Sequence, residues 1–252
     1  MRGVERQEQI KSFIHASQKV TVAELSERWE VTEETVRRDL DKLAEQGFVT
    51  RIHGGAIWNV TVSRSGTHFL ERQNRQAQAK RIIAQNVQGL IRDCTAIAAD
   101  ASTTVLEALR VVGNEPHLKV VTNATEPLAP SEGMSFQLIS TGGIFNRNAL
   151  AFQGETAAQT ILRHHVDLAI ISCAGLNLVE GVTDSNEAEV AIKRAMVEQA
   201  DRVSVLADHT KFGRVAFLKL MDLTHISHLV TDERPSQEWV DRCEELGVDL
   251  IF

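Results

Sequence analysis

Val31-Thr32-Glu33-Glu34-Thr35-Val36-Arg37-Arg38-Asp39-Leu40-Asp41-Lys42-Leu43 is the stretch on which the fold of this chain turns. Val36, Leu40 and Leu43 recur at steps of four and three, so they share one face of a helix. Thr32 is a helix-capping residue, and Glu33 and Glu34 stand in the first turn, where the macrodipole favours negative charge. Upstream, Thr21-Val22-Ala23-Glu24 has the form of a capping box. Val22, Leu25 and Trp29 predict a short helix that stops near Glu30. Residues 4–17, with Val4, Ile10, Phe13 and Ile14 near one face, predict a helix before it. Gly47 is expected to end the third helix. Residues 48–57, apolar in alternation around Gly54-Gly55, read as a hairpin. Two short helices joined across Glu30-Val31-Thr32 and followed by a hairpin make a winged helix-turn-helix over residues 1–57.

Thr35, Arg37, Arg38 and Lys42 lie off the buried stripe of the third helix. Entering a major groove N-terminus first, that helix would aim Thr35 and Arg38 at base edges and Arg37 and Lys42 at phosphates, with Thr32 at its leading end. Arginine forks onto a guanine edge better than any other side chain. Arg51 and His53, in the hairpin, would lie along a backbone or minor groove as a wing. Against this stands an ordinary three-helix bundle with a solvated basic face. Bulk charge does not decide: residues 1–57 carry nine basic and ten acidic side chains, and the remainder carries −6 of the total −7. The position of the cations, not their number, supports duplex DNA as a partner.

The rest of the chain has another texture. Residues 58–75, rich in Ser, Thr, Asn and Arg, read as a linker. From 76 onward apolar runs at 95–99, 118–122, 136–140, 166–172, 202–207, 228–231 and 248–252 alternate with helical patterns at 76–90, 101–112, 154–164, 186–200 and 236–246. Such alternation predicts an open α/β domain with a parallel sheet over 76–252. With 252 residues and 43% hydrophobic content, the chain is long enough for one or two packed domains. No apolar run reaches the ~18 residues of a membrane span, and a charged N-terminus is unlike a signal peptide. Cys94, Cys173 and Cys243 lie far apart, which argues for reduced thiols and a cytoplasmic protein without a metal centre. His164-His165 and the His225/His228 pair lack ligand-like company and read as ordinary polar positions.

Ligands of open α/β sheets bind beyond the carboxyl ends of the strands. Those ends carry Asp100-Ala101-Ser102-Thr103-Thr104, Thr122-Asn123, Ser140-Thr141-Gly142-Gly143, Ser172-Cys173-Ala174-Gly175 and Asp208-His209-Thr210-Lys211. Ser102, Thr103 and Thr104 open a helix, a setting that suits an anion, and Lys211 adds a formal charge. Asp100 and Asp208 suit sugar hydroxyls, because a carboxylate accepts several hydrogen bonds. A phosphorylated sugar would use both kinds of group. Taken singly, each motif is equally a helix cap or a turn.

The stretch 31–43, with Gly47-Phe48 and Arg51-Ile52-His53-Gly54-Gly55-Ala56, resembles the signature of the DeoR family of bacterial transcriptional regulators. The resemblance runs on to the C-terminus through Asp100–Thr104, Thr122-Asn123, Thr141–Gly143, Gly154-Glu155 and 208–212, which are similar to that family's sensor-domain motifs. It implies an operator-binding regulator, usually a repressor of a carbohydrate operon. A sugar phosphate held at Asp100, Ser102, Thr103, Thr104, Thr122, Asn123, Gly142, Gly143, Asp208 and Lys211 would release it. The resemblance also implies a homo-oligomer, dimer or tetramer, and a sensor fold similar to ribose-5-phosphate isomerase and the CoA-transferases.

That last likeness raises an enzyme as the alternative. Isomerisation of a sugar needs a positioned base. The stretch after the central strand, 172–177, holds no carboxylate, and Asp184, Glu187 and Glu189 are only nearby in sequence. Residues 183–189 read as a lid. No catalytic residue and no cofactor is expected.

Overall fold

The structure is a computed structural model that describes residues 3–17, 19–45, 48–52, 54–58, 69–113, 115–125 and 135–252. Gly47 and His53, assigned above to a helix end and the wing, lie outside the described residues. The chain divides into two units, Met1–Thr67 and His68–Phe252.

In the first unit, α1 (Gly3–Ser17) is followed by β1 (Lys19–Thr21), α2 (Val22–Trp29) and α3 (Glu33–Glu45). The capping box forms as the sequence predicts: the Thr21 hydroxyl accepts from Glu24 N, and Thr21 N donates to the Glu24 carboxylate. Glu30 ends α2 in the left-handed region at φ 50°. The Thr32 hydroxyl accepts from Thr35 N at 3.3 Å, which starts α3. Strands β2 (Val49–Ile52) and β3 (Gly55–Trp58) form the hairpin. One pairing was not read from the sequence: β1 adds to the other edge of β3, giving the order β1-β3-β2. Gly55 permits it, because a Cβ there would stand 2.1 Å from the Val20 carbonyl oxygen. Ile10, Ile14, Val22, Leu25, Val36, Leu40 and Leu43 make the core of this unit.

The expected linker, 58–75, needs correcting at both ends. Trp58 closes β3, and α4 (Phe69–Asn74) is a helix whose Phe69 is buried. A helix of under two turns, anchored by one ring, leaves no period to detect. Residues 59–68 lie outside the described residues.

In the second unit, α5 (Ala77–Arg92) precedes β4 (Ala96–Ala99), α6 (Thr103–Val112), β5 (Lys119–Thr122) and β6 (Gln137–Ser140). A hairpin of β7 (Ile144–Asn146) and β8 (Ala151–Gln153) leads into α7 (Glu155–Ile161) and β9 (Val166–Ser172). Then come β10 (Gly175–Asn177), β11 (Gly181–Asp184), α8 (Glu187–Glu198), β12 (Ala200–Leu206), β13 (Leu218–Met221), β14 (His228–Val230), α9 (Gln237–Leu246) and β15 (Asp249–Ile251). The seven apolar runs form one sheet of order β15-β14-β12-β9-β4-β5-β6, parallel throughout. Both faces are covered. Along β9, Leu168 and Ile170 enter one core while Ala169 and Ile171 enter the other, the period of two expected of a doubly buried strand. Strand order reverses between β4 and β9, which sets the crevice for a ligand at their carboxyl ends. A small antiparallel sheet, β10-β11-β13, is additional to the sequence reading.

Candidate functional site

In the first unit, α3 buries Val36, Leu40 and Leu43 and leaves Arg37, Arg38 and Lys42 exposed, with Thr35 half-buried. Arg37 pairs with Glu33 at 2.6 Å and Arg38 with Glu34 at 3.3 Å, one turn back. Such exposed pairs are weak and exchange readily for phosphates or base edges. Asp39 behaves differently. It is buried, and its two oxygens accept from Arg6 Nε and Gln7 Nε2, both at 2.8 Å, fastening α3 to α1. Arg51 is also engaged, with Asp41 at 2.9 Å and the Gly55 carbonyl at 2.7 Å. Its guanidinium therefore braces the hairpin against α3.

At the carboxyl ends of the parallel strands, the residues expected to meet sugar hydroxyls already have protein partners. Asp100 is buried at the switch between β4 and β9; it accepts from Ser102 N at 3.0 Å and Ser172 N at 3.3 Å. Its second oxygen also lies 3.2 Å from Lys193 Nζ. Asp208 caps the turn His209–Lys211 by accepting from Thr210 N and the Thr210 hydroxyl. Thr122 is fully buried; its hydroxyl donates to the Ala99 carbonyl at 2.6 Å and accepts from Ala124 N. Ser102 Oγ accepts from Val105 N at 3.2 Å, the ordinary cap. Gly142 and Gly143 adopt φ +60° and +108°, and a Cβ at Gly143 would stand 2.8 Å from the Gln153 carbonyl oxygen. Asn123 is buried with its amide oxygen unpartnered among the described residues.

The sequence reading missed a charged centre. Lys193, on α8, is buried with its ammonium on Asp184 (2.5 Å), Asp100 (3.2 Å) and the Ser172 carbonyl (2.8 Å). Burial alone would lower the lysine pKa; the Asp184 and Asp100 carboxylates outweigh it and hold the group above its ordinary value. The stretch 183–189 is accordingly not a lid: Asp184 closes the buried strand β11, and Asn186 caps α8. Asp100, just beyond β4, and Asp184, the last residue of β11, meet at the Lys193 ammonium.

A second group of cations borders the rim. Lys80, on α5, is buried and donates to the Arg72 carbonyl, which also accepts from the Thr103 hydroxyl at 3.4 Å. Burial pushes the Lys80 pKa down to about 8; the Asp208 charge opposes that shift, and Lys211 and Arg72 add to it. The sequence did hold a signal. Lys80 and Lys193 each interrupt an apolar stripe, Ile83-Val87-Ile91 and Val190-Met196, where a lysine must find a partner or shift its pKa.

Cys173 is buried, and burial pushes its thiol pKa up to about 12, leaving it protonated and inert. His228 meets Ser204 Oγ at 3.1 Å. Among the described residues, His209, Asp232 and Glu233 bring ligand-type atoms within 4.8 Å of one another. The 2.7 Å His209–Asp232 pair accounts for two of them. No helix of the described residues is long and apolar enough to cross a membrane.

Comparison with known proteins gives the arrangement its family. Residues 6–62 match the model of the DeoR-like helix-turn-helix domain and residues 75–233 that of the DeoR C terminal sensor domain. An uncharacterised HTH-type transcriptional regulator of Bacillus subtilis, YulB, is 34% identical over 92% of this chain and 90% of its own. The L-fucose operon activator of Haemophilus influenzae is 32% identical over 98% and 99%, and the B. subtilis repressor GlcR 31% over 98% and 95%. Ribose 5-phosphate isomerase A of Methanocaldococcus jannaschii is a more distant likeness, with a TM-score of 0.40 and 13% identity over 54% of each chain. A helix-turn-helix head joined to a parallel α/β sensor, matched along nearly its whole length by regulators of transcription, makes this chain a member of the DeoR family of DNA-binding transcription regulators.

Proposed function

We propose that the protein represses a carbohydrate-utilisation operon and leaves its operator when a phosphorylated sugar fills the rim of the sensor unit. DNA recognition is assigned to residues 1–57, joined through 58–75 to effector sensing in 76–252. Thr35 and Arg38 face the bases, with Thr32 at the leading end of the helix, while Arg37 and Lys42 face phosphates and His53 and Arg51 belong to the wing. One observation carries the effector reading: Lys80 and the Thr103 hydroxyl, at the helix start Ser102-Thr103-Thr104, meet at the Arg72 carbonyl, and the Lys211 and Arg72 charges lie close enough to Lys80 to lower its pKa, in a unit of net negative charge. An anion is repelled there except where local donors reverse the field. The names of the fucose-operon activator and of GlcR support a carbohydrate operon and, for GlcR, repression.

No catalytic step is assigned. Asp100 and Asp184 both pair with the buried Lys193, and Asp100 also accepts from the Ser102 and Ser172 N–H groups, so both carboxylates are engaged in holding the strand ends together. The protein acts in the cytoplasm as a homo-oligomer, dimer or tetramer, so that two heads engage one palindrome. Val179, Val215 and Phe217, the last 88% exposed, are large apolar side chains that the second unit leaves in solvent. The test is anisotropy of a labelled upstream DNA fragment titrated with sugar phosphates and with the free sugars. Release by the phosphorylated form alone is expected; equal release by both forms would overturn the reading.

A further inference from the structure

Two buried amide atoms near the strand-end rim have no hydrogen-bond partner among the described residues: Asn123 Oδ1 and Gln153 Nε2. Asn123 is 3% exposed and Gln153 8%. The other end of each amide is held. Asn123 Nδ2 donates to the Phe152 carbonyl at 3.0 Å, and Gln153 Oε1 accepts from Asn146 Nδ2 at 3.1 Å. Those bonds fix which atoms are left over, an acceptor on Asn123 and a donor on Gln153.

The backbone brings the two residues to one place. Phe152 N donates to the Asn123 carbonyl at 2.7 Å, and Ala124 bridges Ala151 in antiparallel fashion, so the chain leaving β5 runs beside β8. Gly143 makes room for that strand, since any Cβ there would strike the Gln153 carbonyl oxygen. A fold that buries polar atoms without partners loses stability, and such exceptions concentrate where a ligand completes them. The ligand group must both donate and accept. A phosphate or carboxylate only accepts, so it would satisfy Gln153 and confront the Asn123 oxygen. A hydroxyl does both through one atom.

We propose that Gln153, together with Asn123, reads a hydroxyl of the effector, which makes Gln153 a specificity-determining residue of the sensor. The inference rests on the reading of the rim as a sugar-phosphate site and divides that site by chemistry. The cations Lys80, Arg72 and Lys211 hold the charged end, and the two neutral amides hold the polyol end.

The experiment uses the full-length protein, with inorganic phosphate, glycerol 3-phosphate, ribose 5-phosphate, glucose 6-phosphate and the 2-deoxy forms of the two sugar phosphates as probes. Thermal shift selects the probe that stabilises the parent most, and calorimetry then compares it with Gln153→Met and Asn123→Leu. A site built to bond a hydroxyl loses affinity steeply when one side of the bond is removed, so a drop of about tenfold or more is expected for Gln153→Met. Its affinity for inorganic phosphate should be unchanged, which confines the loss to the polyol end. If Gln153→Met binds the selected sugar phosphate as the parent does, Nε2 makes no bond to the effector, and that result overturns this inference alone. If no sugar phosphate stabilises the parent, the assignment of the rim falls, and this inference falls with it.

Discussion

Replacing Lys193 by Met tests the charged centre of the second unit. The side chains are similar in length, so packing is nearly conserved and charge is what changes. In the parent, one ammonium serves Asp184 at 2.5 Å, Asp100 at 3.2 Å and the Ser172 carbonyl at 2.8 Å, with all three side chains buried. Removing it leaves two buried carboxylates facing each other without a counter-charge. Breaking a buried pair from one side costs about 3–5 kcal/mol. For a unit of this size each kcal/mol moves the midpoint by about 2–4 °C, so the sensor transition should fall by roughly 10 °C. The assay is calorimetric melting of the full chain at neutral pH, with urea unfolding as a second measure. Adding Asp184→Asn to Lys193→Met relieves the repulsion and should recover part of the loss, a coupling of at least about 1 kcal/mol for residues in one network. Lys193→Met unfolding within 1 kcal/mol of the parent, or strict additivity in the double variant, would refute the account of Lys193 as the counter-ion of both carboxylates.

Other outcomes follow from the same geometry. Arg38→Ala should relax base preference at a cost of about 1–3 kcal/mol, while Lys42→Ala should weaken all sequences and flatten the salt slope by about one unit; anisotropy titrations at several salt concentrations distinguish the two. Lys211→Ala should leave operator affinity intact and abolish release by sugar phosphate, which a reporter or the anisotropy assay reads. Lys80 is pushed down to about 8, so its native form sheds a proton that the unfolded chain keeps. Stability should therefore rise with pH between about 8 and 10.4, and Lys80→Met should flatten that rise in urea unfolding series. The hydrogen bond to Asp232 holds the His209 pKa above its ordinary value. The stability of that pair is full below about 6.5 and fades as pH climbs through the raised value; Asp232→Asn should return the NMR titration of His209 towards the ordinary one.

The sequence was most legible where one period governs one element. Each of the seven apolar runs became a strand of the parallel sheet, because a strand buried on both faces needs little beyond continuous apolar character. The helix-turn-helix was legible because its caps are local chemistry: Thr21 with Glu24, and Thr32 with Thr35. What stayed hidden depends on distant partners. Strand β1 has three residues, and its pairing with β3 across more than thirty positions has no local mark. Asp184 looked like part of a loose polar stretch until Lys193 came to meet it. The rim residues were found by listing strand ends, a rule of topology. Which of their atoms are already spent, as at Asp100, Asp208 and Thr122, is decided by neighbours no spacing reveals.

The pairing of β1 with β3 also sets how the reading head can be transplanted. The wing is stitched from both ends of that unit, with β1 before α2 and β2 and β3 after α3, and Gly55 is the stitch that admits no side chain. A chimera joined between Ser17 and Val22 would carry α3 but discard one edge of its sheet. A junction placed before Gly3 and beyond Trp58 keeps α1, the Arg6–Asp39 tie and all three strands together. A transplant that keeps this architecture is therefore a swap of the whole unit, and a graft of α3 alone inherits its side chains without the frame that holds them.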